Sequence, residues 1–147
     1  MNFTDTQRLG SEIEISYQKH IWEMKLHYTQ MEATFRSGEY DGRKIYLVPE
    51  QEFSAVLSIR PHKNFTLQAE YQYTGSSYEG NDFLNEKEQL PSYAVTNLLL
   101  RYEPKPNISF YMRVNNLLDE SYATIKYNGV WYPAAGRTFQ LGVRHEF

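Results

Sequence analysis

The chain has 147 residues, no cysteine and a formal net charge of −3. A single domain accounts for this length; the charge excludes the basic surface of a nucleic-acid-binding protein, and the lack of cysteine excludes disulfides and thiolate metal sites. Aromatic residues make up 16% of the chain while the mean hydropathy is only −0.65. A soluble β protein and a transmembrane β-barrel both have this composition, because barrel strands alternate and so average out.

Alternation of apolar and polar side chains predicts seven β-strands. The first, SEIEISY, places Ile13 and Ile15 on one face and Glu12 and Glu14 on the other. The fifth is less regular, because Leu99 falls among polar neighbours. Across the seven stretches the apolar face carries no Asp, Glu, Lys or Arg. The predicted strands are residues 11–17, 22–28, 53–60, 65–73, 93–102, 108–115 and 138–147.

The connections between these strands alternate in length. Those after the first, third and fifth strands are short, whereas those after the second, fourth and sixth run to about sixteen residues or more. Short turns on one side and long loops on the other are typical of an outer-membrane barrel, with the short turns periplasmic. A soluble lipid-binding β-barrel is the weaker alternative, because its hairpins are short at most corners.

An odd number of strands places the two ends of the predicted sheet on opposite sides. Bacterial barrels close with an even number of strands. Either residues 1–10 contain an eighth strand, which gives a complete small eight-stranded outer-membrane barrel with a structural or adhesive role, or the chain is a piece of a larger barrel. Because NFTDTQRLG shows no alternation, we expect residues 1–10 to be the end of an extracellular loop or a disordered start, and residues 11–147 to be the barrel segment.

Four stretches resemble the C-terminal end of TonB-dependent outer-membrane receptors of the siderophore or vitamin B12 type. They are LVPEQEFS, LPSYAVTNLLLRYEP, FYMRVNNLLDESYAT and YPAAGRTFQLGVRHEF. The most specific part is the run Val114 to Asp119 with Tyr122, Pro133, Gly136 and Arg137. The resemblance implies an antiparallel transmembrane segment, about seven strands of a 22-stranded barrel.

Taken alone, the residues of that run suggest a bend. Asn115, Asn116 and Asp119 can hydrogen-bond their own backbone, and Gly136 can adopt a positive φ where the loop re-enters the last strand. Nothing in the run suggests catalysis.

The resemblance also implies a location, a cargo and partners. The location is the outer membrane of a Gram-negative-type bacterium, and the cargo is a scarce chelate, with a ferric siderophore as the expectation. The implied partners are outer-membrane lipid, the plug and other strands of the receptor, TonB acting through them, and the barrel-assembly machinery. That machinery recognises a C-terminal strand, for which this chain offers Gln140, Gly142, His145 and Phe147.

Ligand contacts are expected on the long loops, since binding residues concentrate on loops held by a rigid scaffold. Aromatic and arginine side chains are favoured there, although ordinary loop packing is the alternative for each of them. The four histidines are far apart, and no nucleophile–base pair is present. We therefore expect no enzyme activity, metal site or cofactor. The candidate ligand residues are Tyr40, Arg43, Tyr46, Tyr127, Trp131 and Tyr132.

Overall fold

The computed structural model describes residues 5–146 and is built from antiparallel β-strands. No helix among these residues is long and apolar enough to cross a membrane. One 3₁₀ turn, Gly38–Tyr40, lies in the first long loop. The strands are β1 (Thr6–Lys19), β2 (Trp22–Phe35), β3 (Gln51–His62), β4 (Phe65–Thr74), β5 (Tyr93–Lys105), β6 (Ile108–Asn115), β7 (Ala123–Tyr127), β8 (Val130–Pro133) and β9 (Thr138–His145).

The sheet is a meander in the order β1-β2-β3-β4-β5-β6-β9, and β7 and β8 form a separate two-stranded sheet. Each of the seven predicted strands is confirmed. The hairpin β7–β8 was not predicted; it lies within the third long connection.

The start of the first strand was predicted wrongly. β1 begins at Thr6, so residues 6–10 belong to a strand and not to a loop end or disordered start, and β2 continues to Phe35. Their register is continuous from Thr6↔Phe35 to Lys19↔Trp22. Alternation is lost in residues 6–10 and in the end of β2 that pairs with them, because pairs such as Leu9↔Glu32 combine an apolar and a charged residue on one face. Residues 1–4 lie outside the described part of the chain.

Within residues 5–146 the sheet does not close. β1 pairs only with β2, and β9 pairs only with β6. Residues 6–10 lengthen the first strand and do not form an eighth one. The arrangement therefore differs from the small eight-stranded barrel and matches the expectation of a segment.

The register separates the side chains onto two faces, because directly paired residues point to the same side of a sheet. The apolar face carries continuous rows across the strands, for example Met24, Leu57, Ala69, Leu98 and Val114. Within residues 5–146 no second layer covers it. Large side chains on this face stay exposed, as the values of 43% for Leu67, 44% for Phe110 and 80% for Leu141 show.

The opposite, polar face carries hydrogen-bonded charges. Arg113 lies 3.2 Å from the Glu70 carboxylate, and the Asn97 amide donates to the same oxygen at 3.3 Å. Arg113 Nε also donates to Asn115 Oδ1 at 2.7 Å. Leu99 lies on this face between Gln68 and Arg113, as the irregular sequence pattern indicated. One face thus suits an apolar solvent and the other suits water or polar protein.

Candidate functional site: the loop cap

The three long connections fold together at one end of the sheet into a structure that we call the loop cap, residues 36–50, 75–92 and 116–137. Backbone hydrogen bonds join the loops: Leu47 N–H donates to Tyr78 O at 2.9 Å, and Gly80 N–H donates to Lys126 O at 2.7 Å. The Asn85 side chain binds both backbone groups of Lys44, at 2.7 and 3.0 Å. The loops therefore have a defined conformation and can position ligand-binding side chains.

Tyr40 and Tyr46 meet in an aromatic cluster around Phe83. The Tyr40 ring stacks on Phe83 with 4.8 Å between centroids, and Tyr46 meets Phe83 edge-on at 5.1 Å. Phe35, at the top of β2, lies 5.8 Å from Tyr40 and is buried. Both tyrosines are half-buried, so packing between the first two loops occupies much of their surface. Phe83 was missed by the sequence analysis because a single Phe in a polar loop carries no periodic signal.

Arg43 is held through its backbone. Its carbonyl accepts from Phe35 N–H and its own N–H donates to Tyr40 O, both at 2.9 Å. The residue as a whole is exposed. Its side chain therefore lies at the surface of the loop cap next to the aromatic cluster.

Tyr127, Trp131 and Tyr132 lie on the β7–β8 hairpin and are 44%, 44% and 52% exposed. Tyr127 borders Gly80, which forms a bridge with it and has no room for a side chain against its ring. The Lys126 ammonium lies 4.7 Å from the centre of the Trp131 ring, a cation–π contact. The six predicted residues therefore form two groups, one around Phe83 and one on the hairpin. A hydrogen bond of 3.0 Å between Asn81 and Asn128 links the hairpin to the second loop, which carries Phe83.

A buried ion cluster fixes the hairpin to the second loop. Glu79 is only 2% exposed and forms salt bridges with Lys87 at 2.7 Å and Lys126 at 3.5 Å, while Lys126 also reaches Glu88 at 3.3 Å. The hydrogen bond from Lys87 holds the pKa of the Glu79 carboxyl below its usual value, against the effect of burial, which raises it. Lys87 thus pairs within the second loop, whereas Glu88 pairs with a residue 38 positions away, on the hairpin.

The run Val114 to Asp119 forms the base of the third loop. Asn116 is 3% exposed; its Oδ1 accepts from Glu120 N–H, and its Nδ2 donates to Glu120 O, both at 2.9 Å. Asn116 and Asp119 have φ values of 50° and 58°, so the predicted bend is present. Asp119 Oδ1 accepts from Arg137 N–H at 2.8 Å, which ties the two ends of the loop together.

The predicted positive φ at Gly136 is wrong, since the glycines with positive φ in residues 5–146 are Gly38, Gly42 and Gly129. A Cβ at Gly136 would lie 3.0 Å from the Asp119 carboxylate. A side chain at this position would therefore crowd the oxygen that accepts from Arg137 N–H. Tyr122 of the same motif stacks on Tyr93 at 4.3 Å, and desolvation together with Tyr93 raises its pKa.

A model of the TonB-dependent receptor-like β-barrel matches residues 2–117. The chain belongs to the TonB-dependent receptor family. Its curated relatives include the catecholate siderophore receptor Fiu of Escherichia coli UTI89, which is 31% identical over 152 residues, covering 91% of this chain and 19% of the relative. Fiu of Escherichia coli K12 is 30% identical over the same extent. The chain thus spans about a fifth of the length of these relatives.

Solved structures of TonB-dependent receptors share the fold. The closed form of Fiu from Escherichia coli K12 matches with a TM-score of 0.82 and 24% identity, over 97% of this chain and 21% of that one. The siderophore receptor PiuA from Acinetobacter baumannii matches with a TM-score of 0.81 and 22% identity, over 95% of this chain and 22% of that one. The ferric yersiniabactin uptake receptor FyuA from Yersinia pestis matches with a TM-score of 0.81 and 19% identity, over 97% of this chain and 24% of that one. These likenesses show that the chain has the fold of a segment of such a barrel.

In this TonB-dependent receptor segment, the predicted assembly signal lies on β9. Gln140 pairs with Arg113 on the polar face, Gly142 pairs with Tyr111, and His145 pairs with Ile108. His145 Nε2 is also 3.3 Å from Asn107 Nδ2. Phe147 lies outside the described residues. The machinery that would recognise these positions stays a prediction.

The same segment offers no metal centre in the part of the chain that the structure describes. No group of three or more His, Asp or Glu residues within residues 5–146 is arranged to hold an ion. Asp82, which is buried, instead accepts from the backbone N–H groups of Glu86 and Lys87, both at 3.1 Å. The loop cap can therefore contribute aromatic contact and charge.

Proposed function

We propose that this chain supplies C-terminal barrel strands of an outer-membrane receptor that takes up a ferric siderophore of the catecholate class. The observation that carries the proposal is the exposed aromatic hairpin β7–β8, held in the loop cap of a TonB-dependent receptor segment. Curated relatives named as catecholate siderophore receptors support the choice of cargo.

The chemistry of the loop cap suits such a cargo. Ferric catecholates present flat aromatic rings and carry negative charge. Trp131 and Tyr132 offer exposed rings for stacking. Arg43 offers an exposed guanidinium, which can pair with an anion and stack on a ring. Lys126 is already paired with Glu79 and Glu88, so it positions Trp131 and does not neutralise the cargo.

The sheet beneath the loop cap suits a bilayer on one side. Its apolar face would contact lipid, and its polar face would contact a plug domain inside the completed barrel. The unpaired edge of β1 would meet further strands of the receptor, because backbone groups at a sheet edge must be paired in lipid. TonB would act through the plug. The assembly machinery would recognise the final strand by pairing with it, through Gln140, Gly142, His145 and Phe147. No catalytic role is part of this proposal.

Uptake is tested in cells. Deleting the reading frame that encodes this chain should lower the accumulation of radioactive iron supplied as a ferric catecholate, and restoring the frame should recover it. Iron supplied as citrate serves as the control. Unchanged accumulation of catecholate iron in the deletion strain would contradict the proposed cargo.

Ligand contact is tested by fluorescence, because the chain has only two tryptophans, Trp22 and Trp131. Trp22→Phe leaves Trp131 in the loop cap as the only reporter, and Trp131→Phe leaves Trp22 at the other end of the sheet. Ferric 2,3-dihydroxybenzoate should quench the fluorescence of Trp131 in a saturable way, and it should lower the signal of Trp22 only because the compound absorbs light. Adding Arg43→Gln to the first variant should raise the concentration needed for half-maximal quenching of Trp131. Equal quenching of the two reporters would place the contact elsewhere.

A further inference from the structure

Three basic residues lie at the short-turn end of the sheet, on its apolar side. Lys19 pairs with Trp22, His62 pairs with Phe65, and Lys105 pairs with Ile108. Directly paired side chains point to the same side of a sheet, and Trp22, Phe65 and Ile108 belong to the apolar face. All three basic residues are exposed. We call Lys19, His62 and Lys105 the basic rim.

The carboxylates at this end of the sheet lie on the other face. Glu23 pairs with Gln18 and Ser58 on the polar face and forms salt bridges with Lys25 at 3.1 Å and Arg60 at 3.0 Å. Within the described part of the chain, neither lysine of the basic rim takes part in a salt bridge.

The other two carboxylates, Glu103 and Glu146, line a cavity of about 200 Å³ together with polar-face residues Arg101, Tyr111 and Arg144. Arg144 also forms a salt bridge with Glu146 at 2.7 Å. The three acids of the short-turn end named here thus lie on the polar side, where Glu23 and Glu146 are in salt bridges, and the basic rim lies on the apolar side.

Aromatic rings lie next to the basic rim along the same face. Phe65 stacks on Tyr102 with 4.5 Å between centroids, and Tyr102 lies 6.4 Å from Phe110. Trp22 is 46% exposed beside Lys19. Aromatic belts mark the level where acyl chains give way to headgroups, and long basic side chains reach from there to the phosphates.

We propose that the basic rim binds the phosphate groups of anionic phospholipid in the leaflet that faces the short turns. The separation of charge between the two faces carries this inference. Although the net charge of the chain is −3, the lysines without a salt bridge lie on the face that would contact lipid, and the nearby acids lie on the other face. The inference rests on the bilayer placement in the proposed function and is independent of siderophore binding.

The test uses Trp131→Phe, which leaves Trp22, beside Lys19, as the only tryptophan. The chain is placed in phosphatidylcholine vesicles that contain a small fraction of head-group spin-labelled lipid, either phosphatidylglycerol or phosphatidylcholine. Labelled phosphatidylglycerol should quench Trp22 more strongly, and added salt should reduce the difference. Lys19→Gln with Lys105→Gln should lower the preference for phosphatidylglycerol by roughly fivefold for each lysine.

The matched control is Arg101→Gln with Arg144→Gln, which removes the same charge from the polar face and should leave the preference unchanged. A variant that does not insert into vesicles is measured in mixed detergent micelles that contain the same labelled lipids. Circular dichroism then checks that its strand content is retained. Equal quenching by the two labelled lipids in both settings would overturn the lipid preference alone. No quenching by either lipid would overturn the bilayer placement as well, whatever the result for siderophore.

Discussion

The ring of Tyr111 lies across the backbone of Gly142, its direct partner between β6 and β9. A Cβ at position 142 would overlap the end of the Tyr111 side chain, since two ring atoms and the hydroxyl oxygen occupy that space. A glycine within a strand weakens the strand, and an aromatic neighbour that covers it restores contact. The structure therefore gives Gly142 a packing role in addition to its predicted place in the assembly signal.

Gly142→Ala should destabilise the sheet by about 1–3 kcal/mol, the usual cost of overpacking. Urea unfolding in detergent micelles, followed by circular dichroism, measures it. In the background of Tyr111→Ala the same substitution should cost much less, because the overlap is gone. An equal cost in the two backgrounds would show that Gly142 matters for another reason.

An arginine on the apolar face should be costly. Leu26 pairs with Ile15 and Ala55 on that face, four residues along β2 from the short turn, whereas its neighbour His27 pairs with Glu14 and Ser54 on the polar face. Leu26→Arg should reduce folding stability in lipid vesicles by about 2–4 kcal/mol, the cost near the bilayer midplane. His27→Arg is the matched control and should change it little. Similar costs for the two would mean that the faces are assigned in reverse.

Acid should loosen the hairpin from the second loop. The pKa of Glu79 is lowered, so its salt bridges stabilise the loop cap above the ordinary value of 4.5 and stop doing so as the pH falls through the lowered value. In the Trp22→Phe variant, Trp131 fluorescence should stay constant from neutral pH down to about 4.5 and change below it. With Glu79→Gln added, the fluorescence of Trp131 at neutral pH should already equal the value that the parent chain reaches in acid.

Glu88→Gln provides the comparison for that titration, because Glu88 is 81% exposed in its side chain while Glu79 is 3% exposed. This control should titrate like the parent chain. If it instead reproduces the Glu79→Gln signal, the exposed carboxylate holds Lys126 and the buried one does not.

Asn116→Ala should unfold the base of the third loop. The substitution removes both hydrogen bonds between the Asn116 side chain and the Glu120 backbone, worth about 0.5–1.5 kcal/mol each, and places alanine at a φ of 50°. Asn128→Ala shares the backbone strain, with a φ of 47°, and loses a single exposed hydrogen bond, the one from Asn81. Urea midpoints in micelles should therefore fall clearly more for Asn116→Ala. If the two urea midpoints fall equally, the side-chain hydrogen bonds of Asn116 contribute nothing beyond its backbone conformation.

The sequence by itself determined the seven strands, their two faces and the alternation of short turns with long loops, because each follows from a local repeat of two residues. It also indicated that the strands do not form a closed small barrel, and the motif from Val114 to Asp119 indicated the family. The strand boundaries at Thr6 and Phe35 could not be predicted from the sequence, because the paired stretch from Thr6 to Gly10 and its partner in β2 have no uniformly apolar face.

The site was decided by tertiary structure. Tyr40 and Tyr46 were predicted as ligand residues, but only the meeting of two loops shows that Phe83 occupies part of their surface. The burial of Glu79 depends on Lys126, 47 positions away along the chain. Such contacts join loops that are distant in sequence and lack periodicity, so no local pattern encodes them. The register of the sheet brings the loops together, and it also places Lys19 and Lys105 on the apolar side while Glu103 and Glu146 line the polar side.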